Sequence, residues 1–411
     1  MINTTLLDLA QRNRKGETKG IFSTNSTHPV VIKAYLMQAQ EDGFPAVIEV
    51  SAQDFSDSRM TPNDLKNKIH QIAGRIEFPL NQLSFGVHDL NLVEQTDNNN
   101  PQVIIDKHRH TVLDLIKCSF NIFGLKAGEA INGELISLIE KATAENLEAD
   151  KPVYVIDIPV EQVGLDSKET SALKERAANI KNLIGNMNTI SGHEIKDRIL
   201  AVRMSLGSGH DGETVFPFSQ QTIRDFNRDC IDTIPNLMGA HNIDFQPQSV
   251  LNELVNTKFA YLRVGSELTY TMREAIFSLA MMENETLQGK PGVYLSNLMG
   301  ELDKAMQSSP DNWKKYYRGN GFEQLLARKY SLHDRSRFFW DDEEVQEAWL
   351  RLFLNLHEFP IPVTVLRQYM PEQYGQVISG AVKNTPEALV LDKLRRVMLR
   401  YSCACGWRIC K

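Results

Sequence analysis

A (β/α)8 TIM barrel with a C-terminal helical extension is the fold class this sequence predicts, on three observations. Short β-branched or apolar runs alternate with longer stretches of helical periodicity. The links between them are short, which favours parallel strands joined by helices. The strand-like runs then stop near residue 290, and helical patterns dominate. At 411 residues the chain exceeds the usual size of one compact core, so a barrel domain over 1–290 and a helical extension over 291–411 packed on it is the expected division.

The strand candidates are Gly20–Ser23, Ala46–Val50, Leu83–Val87, Leu115–Phe120, Val153–Ile158, Leu200–Met204, Asn236–Gly239 and Phe259–Val264, eight in all. Helices are expected between them at His28–Glu41, Pro62–Glu77, Val103–Asp114, Leu125–Ala144, Lys168–Ile184, Ser219–Cys230 and Pro247–Asn256, and a last one at Glu267–Met282. Thr61-Pro62 reads as an N-cap followed by a proline at the first helical position, with Asp64 in the first turn where a carboxylate suits the helix dipole. In the last of these helices Leu268, Met272, Ala275, Ile276 and Leu279 recur on one face, which marks it as core-facing. Asp97-Asn-Asn-Asn-Pro101 is a loop by composition. Past residue 290 the clearest helices are Val293–Met306, Asp342–His357 and Leu389–Tyr401, punctuated by Pro360-Ile-Pro362 and Met370-Pro371. The region carries Trp313, Tyr316, Tyr317, Phe338, Phe339, Trp340 and Trp349, too aromatic for a disordered tail, so it needs a surface to cover.

Charge and composition narrow the function classes. A net charge of −7 with mixed signs and no long basic run argues against nucleic acid as a partner. No stretch of eighteen uncharged apolar residues exists, and Met1 to Gly20 is polar where a signal peptide would be apolar, so no membrane association and a cytoplasmic location are expected. Cys118, Cys230, Cys403, Cys405 and Cys410 are odd in number and show no framework spacing in the body, which fits reduced thiols. The Cys403, Cys405 and Cys410 cluster lacks a nearby histidine and makes a poor metal site.

In such a barrel the reactive side chains sit just after each strand. Those positions hold Ser23 to Ser26, Glu49 and Ser51, His88 and Asp89, Ser119 and Asn121, Asp157, Ser205, His241 and Asp244, and Gly265 and Ser266. Glu49 and Asp157 are the candidate general acid and base. His88, His241 and Asp244 combine imidazole and carboxylate donors that could hold Zn2+ or another divalent cation to polarise a ketose carbonyl. The bland alternative for the two histidines is a hydrogen-bonded place on the rim. Gly265-Ser266-Glu267 opens a helix after the eighth strand, where free N–H groups favour phosphate, although Glu267 competes for the same positive end. Gly207-Ser-Gly-His-Asp-Gly212 follows no nucleotide-binding pattern and reads as a rim loop. Lys314, Lys315 and Arg318 with Arg335 and Arg337 form a basic, aromatic-rich stretch that suits phosphate, an acidic partner or a packing seam.

Several long strings carry a family resemblance. Arg263-Val-Gly-Ser-Glu-Leu-Thr-Tyr-Thr-Met-Arg-Glu-Ala-Ile-Phe-Ser-Leu-Ala280, Trp313-Lys-Lys-Tyr-Tyr-Arg318 and Tyr330-Ser-Leu-His-Asp-Arg-Ser-Arg-Phe-Phe-Trp340, with Gly20-Ile-Phe-Ser-Thr-Asn-Ser-Thr-His-Pro-Val-Val-Ile32, Met60-Thr-Pro62 and His241-Asn-Ile-Asp-Phe-Gln246, resemble the Z subunits of D-tagatose-1,6-bisphosphate aldolase. The resemblance implies kinship with class II aldolases and a role supporting a separate catalytic Y subunit that carries the zinc. A sugar-phosphate epimerase activity has also been considered for members. It carries over His28, Pro29, Glu49, His88, His241, Asp244, Gly265, Arg273 and Glu274, with Ser23 and His28 joining Gly265, Ser266 and Arg273 as expected sugar-phosphate contacts.

Departures from the family pattern fall on the chemistry. Val87 stands before His88 where the family has aspartate, Cys118-Ser-Phe-Asn121 lacks an acid, Asp157-Ile-Pro159 replaces Gly-Thr-Glu, and His241-Asn-Ile-Asp244 replaces His-Ser-Thr-Asp. The resulting expectation is a non-catalytic or weakly catalytic accessory subunit supporting a catalytic aldolase subunit in sugar-phosphate metabolism. The alternatives are a metal-dependent sugar-phosphate epimerase or aldolase in its own right, and a barrel that binds a sugar phosphate without turnover. Homo-oligomerisation is left open.

Overall fold

The computed structural model describes residues 2–57, 60–90, 101–126, 132–146, 149–158, 178–182, 184–187, 189, 192–204, 209–218, 221, 223–225, 234 and 236–410. Its strands are β1 Ile21–Thr24, β2 Ala46–Ser51, β3 Leu83–His88, β4 Phe120–Lys126, β5 Val153–Asp157, β6 Ile199–Met204, β7 Gly209–His210, β8 Val215–Phe216, β9 Leu237–Ala240 and β10 Phe259–Val264. Eight of them close into a parallel barrel in the order β1-β10-β9-β6-β5-β4-β3-β2, and β7 with β8 forms a small antiparallel hairpin after β6. The barrel strands are buried along almost their whole length, which is why they read as continuous apolar runs and not as alternating ones. The expected (β/α)8 barrel is the fold found.

Local signals place the helices. Thr61 caps Pro62–Arg75 in a full capping box with Asp64, with Pro62 in the first turn, and Gly43 ends Pro29–Asp42 in the left-handed region at φ 76°. The helix Ser266–Leu287 buries Leu268, Met272, Ala275, Ile276 and Leu279, the face that periodicity marks as core.

Around β4 the structure differs from the sequence reading. Leu115–Phe120 is not a strand: the helix Pro101–Lys117 runs through its first half, Ser119 turns the chain at φ 67°, and β4 begins at Phe120. The cause is that Val112, Leu115 and Ile116, all buried, lie at i, i+3 and i+4 on one helical face, and a short apolar run does not separate that face from a strand. The helix expected from Leu125 accordingly starts at Asn132. Most of the Lys168–Ile184 and Ser219–Cys230 calls, with Ser205, Cys230 and the Asp97–Asn100 loop, lie outside the described residues. The polar start hides a helix, Ile2–Arg14, whose Leu6, Leu9 and Ala10 are buried and which lies against β3, β6 and β9.

Beyond Leu287 the described residues form helices, among them Leu298–Ser308, Gly321–Tyr330, Glu343–Glu358 and Pro386–Ala404. The last of these packs against Pro29–Asp42, Gln248–Asn256 and Ser266–Leu287. Its Tyr401 ring stacks on Phe22 of β1 at 6.0 Å, and the Cys405 carbonyl accepts from the Gly20 N–H at 2.9 Å. Trp407 Nε1 donates to the Gly20 carbonyl at 2.9 Å, so the chain's end is tied to the start of the first strand. Buried Trp313, Tyr317, Phe339 and Trp340 show the aromatic stretch acting as a packing seam. Cys403 and Cys410 form a disulfide, so they are not the free thiols expected, while Cys118 and Cys405 are free and buried.

Candidate functional site

The C-terminal ends of the strands bring four distant polar side chains together inside the barrel mouth. Arg203 of β6, fully buried, donates from Nε to Asp157 Oδ1 at 2.6 Å and from Nη2 to Asp157 Oδ2 at 2.9 Å. Its Nη1 donates to both oxygens of Glu49 at 3.2 Å, and Ser23 Oγ donates to Glu49 Oε2 at 2.5 Å. The guanidinium also faces the Tyr261 ring at 5.6 Å. A buried ion persists only when paired and hydrogen-bonded, and here both carboxylates are spent on one guanidinium. Burial pushes Asp157 up, yet the charge and hydrogen bonds of Arg203, together with the charges of His241 and Arg263, hold the carboxyl at about 2. Glu49 and Asp157, the expected acid–base pair, are both ligands of Arg203, which sequence reasoning did not single out.

Three strand glycines make room for this cluster. A Cβ on Gly86 would stand 2.7 Å from Glu49 Cγ, one on Gly124 2.8 Å from His88 Cβ, and one on Gly239 2.5 Å from Arg203 Cγ. Glycine inside a strand marks such close approach, and it is the sequence signal that could have pointed to Arg203.

His88 and His241 flank the cluster. His88 Nδ1 lies 2.6 Å from Asp89 Oδ2, which orients the ring with its Nδ1 proton toward the carboxylate. His241 Nε2 lies 3.4 Å from Asp157 Oδ1 without an aligned hydrogen bond. Burial lowers both imidazoles, His241 to about 3, so both are neutral near pH 7. The Nε2 atoms of both are buried with no hydrogen-bond partner.

The expected metal set of His88, His241 and Asp244 does not assemble. Asp244 Oδ1 instead accepts from the Gly265 N–H at 2.8 Å and the Glu267 N–H at 3.0 Å, closing the start of the helix Ser266–Leu287. Among the described residues no three His, Cys, Asp or Glu side chains are grouped to hold a metal ion. With Asp157 on Arg203, the donors present do not fit a three-ligand divalent site.

Asp244 also changes the expected phosphate contact, because two backbone N–H groups of that helix start already have a carboxylate. Burial first, and then repulsion from Glu267, raises Asp244 to about 6 against those two hydrogen bonds. Glu267, expected to compete for the helix end, turns away to Tyr401 Oη at 2.5 Å, to the Phe245 N–H at 2.9 Å and to Arg400. Ser266 Oγ donates to the Leu332 carbonyl at 2.8 Å.

The remaining candidates serve the C-terminal region. His28 Nδ1 caps Pro29–Asp42 by accepting from the Val30 N–H at 3.3 Å, and its ring packs 5.8 Å from Trp349 and 6.3 Å from Trp340. Arg273 lies 2.8 Å from Asp334 Oδ1 in an ion pair and donates to the Ser331 carbonyl at 3.0 Å. It thereby pins the segment that carries His333, Arg335 and Arg337 to the rim. Two of the four departures from the family pattern also read differently in place: Ser119 precedes β4, so it says nothing of the residue after that strand, and Asp89 supplies an acid on the other side of His88 from Val87.

Comparison with known proteins adds to this geometry. The family model described as D-tagatose-1,6-bisphosphate aldolase subunit GatZ/KbaZ-like matches residues 6–406. Among solved structures, one described as a probable tagatose 6 phosphate kinase from Sinorhizobium meliloti 1021 is 25% identical and superposes with a TM-score of 0.81, covering 94% of this chain and 100% of that one. A fructose-bisphosphate aldolase from Campylobacter jejuni is 13% identical with a TM-score of 0.46 over 84% of this chain and 93% of its own, too loose a likeness to carry an argument. No described helix is long and apolar enough to cross a membrane.

Proposed function

Because this chain belongs to the GatZ/KbaZ-like family of D-tagatose-1,6-bisphosphate aldolase subunits, we propose that it supports a catalytic class II aldolase subunit and is itself non-catalytic or weakly catalytic. The observation that carries this reading is Arg203. Its guanidinium occupies both carboxylates at the barrel mouth, Glu49 and Asp157, and a carboxylate held at about 2 by a buried arginine is a poor proton acceptor near neutral pH. General acid–base catalysis typically supplies about 10²- to 10⁴-fold, which this arrangement forgoes. The two neutral imidazoles could accept a hydrogen bond from a bound hydroxyl, and His88 is backed by Asp89 at 2.6 Å, while His241 has only Asp157, which Arg203 already holds.

The experiment is an aldolase assay on the purified chain with tagatose 1,6-bisphosphate, alone and after co-expression with a class II aldolase subunit from the same host. The expected result is little cleavage alone and a higher activity or thermal lifetime of the partner. Robust metal-dependent cleavage by the chain alone, lost in His88→Ala, would replace this reading with the aldolase or epimerase alternative. That alternative is kept because His88 and His241 each present a buried Nε2 without a partner. It requires a third ligand, and so requires Asp157 to leave Arg203.

A further inference from the structure

The helix Pro386–Ala404 stops in a tight reversal that brings two cysteines together. Gly406 takes the left-handed region at φ 71°, its N–H donates to the Cys403 carbonyl at 3.0 Å, and the Trp407 N–H reaches back to the Ser402 carbonyl at 3.0 Å. These two bonds form the glycine-ended stop that folds the following residues back over the last turn. The Cα atoms of Cys403 and Cys410 come within 5.8 Å, a span that a disulfide bridges, and the two are bonded. We propose that this pair is a thiol–disulfide exchange site for a low-molecular-weight thiol, and that its bridge decides whether the segment Gly406–Cys410 stays clamped on the start of β1.

The segment sits on the residue from which the first strand begins. The Cys405 carbonyl accepts from the Gly20 N–H and Trp407 Nε1 donates to the Gly20 carbonyl, both at 2.9 Å, so both backbone groups of Gly20 are spent there. The Trp407 ring meets the Phe44 ring at 6.3 Å and the Lys19 Nζ at 4.2 Å. A Cβ on Gly406 would stand 2.5 Å from the Thr18 carbonyl oxygen, and one on Gly20 3.1 Å from Cys405 Sγ. Glycine on both sides permits this close approach.

Beyond Trp407 the other ties are weak. Arg408 donates to Glu41 Oε1 at 2.5 Å and to Asp42 Oδ1 at 3.3 Å, but it is exposed, and an exposed ion pair contributes little. Ile409 is 93% exposed and packs on nothing that would hold it. The bridge is therefore the firm anchor of residues 408–410, and breaking it leaves them free to fray.

Access decides which sulfur reacts. Cys410 is exposed and Cys403 half-buried, so a small thiolate reaches the Cys410 sulfur from solvent. Its attack forms a mixed disulfide with Cys410 and breaks the Cys403–Cys410 bond, and the Cys403 thiolate takes a proton from water. A second small thiolate then attacks the small molecule's own sulfur in that mixed disulfide, which releases Cys410 as a thiol and a small-molecule disulfide. The bridge gains two electrons and two small thiols lose them; closing is the reverse, with the small disulfide as oxidant. Cys405 is free but buried, and burial raises its thiol, so it stays outside the exchange.

The test equilibrates the full chain in reduced and oxidised glutathione at a series of ratios, followed by alkylation and peptide mass spectrometry. Hydrogen exchange of the peptide containing Gly20 is measured at both ends of the series. Cys403 and Cys410 are expected to pass together between bridged and alkylated, while Cys118 and Cys405 stay unalkylated until the chain is denatured. Exchange at Gly20 should be roughly tenfold faster with the bridge open, and Cys410→Ser should show the fast rate in every buffer. A bridge that resists reduced glutathione until denaturation, or that fails to form in excess oxidised glutathione, overturns the exchange site. Equal hydrogen exchange in both states, or a slow rate in Cys410→Ser, overturns the clamp. No aldolase subunit and no turnover enter the measurement, so its failure leaves the proposed supporting role standing.

Discussion

Arg203 and Asp157, on neighbouring strands β6 and β5, form a two-pronged pair with Nε to Oδ1 at 2.6 Å and Nη2 to Oδ2 at 2.9 Å. Both are buried, Arg203 at 0% and Asp157 at 7% exposure. A protein cation therefore holds the centre of the barrel mouth.

Removing that cation should be costly. Arg203→Met fills much of the same volume but leaves Glu49 and Asp157 as like charges in a buried place, and breaking one side of a buried ion pair costs about 3–5 kcal/mol. Urea denaturation of the variant at pH 7 should show a loss of that size. The double variant with Asp157→Asn should recover part of it, and an unchanged midpoint in Arg203→Met would refute the pairing.

The same pair sets an acid limit on stability. Asp157 falls from an ordinary 3.8 to about 2: burial pushes it up, but Arg203, with smaller help from His241 and Arg263, pulls it down further. A depressed folded pKa gives stability that is full above about 4 and lost as pH falls through about 2. Stability measured between pH 5 and pH 2 should therefore decline less steeply in Asp157→Asn than in the wild type. Equal slopes would mean the carboxylate is not held as described.

Gly239 is where a single methyl group should be felt. Its Cβ would meet Arg203 Cγ at 2.5 Å and, less forgivingly, the Tyr261 carbonyl at 2.7 Å. Overpacking of this kind costs about 1–3 kcal/mol. Gly239→Ala should lower the melting temperature, whereas Gly74→Ala, with nothing within 4 Å, should not.

These cases also show what could be read from sequence and why the rest could not. Strands buried on both faces, such as β2 and β10, and helices with strong caps, such as Pro62–Arg75, announce themselves locally. The cluster does not, because Arg203 reaches partners 46 and 154 residues away and sits in an otherwise apolar strand without any motif. A charge inside such a run demands a partner, so the position was visible as a question, though its answer required the barrel's closure. Ser119 was misplaced for a related reason, since the buried face Val112, Leu115 and Ile116 belongs to the preceding helix.

Asp244 predicts the opposite pH behaviour. Burial and Glu267 raise it from 3.8 to about 6, so the folded chain holds a proton that the unfolded chain releases, and stability is lost as pH rises from about 4 to about 6. Two pKa units correspond to roughly 3 kcal/mol. Asp244→Asn keeps an oxygen for the Gly265 and Glu267 N–H groups without the charge, so it should raise the melting temperature at pH 7.5 and leave it unchanged at pH 4. A lower melting temperature at pH 7.5 would show that the carboxylate's charge is needed at the helix start.

The helix Pro386–Ala404 poses the question of where the barrel ends in the chain. Its Leu389, Val390, Leu394, Met398 and Tyr401 are each 0–1% exposed against barrel helices, and Tyr401 reaches Glu267 and β1's Phe22. Burial of such side chains is worth about 1.5–3 kcal/mol each, so five of them rival the roughly 5–15 kcal/mol by which a whole domain is stable. A chain ending at residue 385 should therefore lose its cooperative melting transition and its near-ultraviolet circular dichroism, although the barrel strands all lie upstream. If the truncated chain instead melts cooperatively within a few degrees of the full one, the helix is an appended layer and not part of the barrel's own wall.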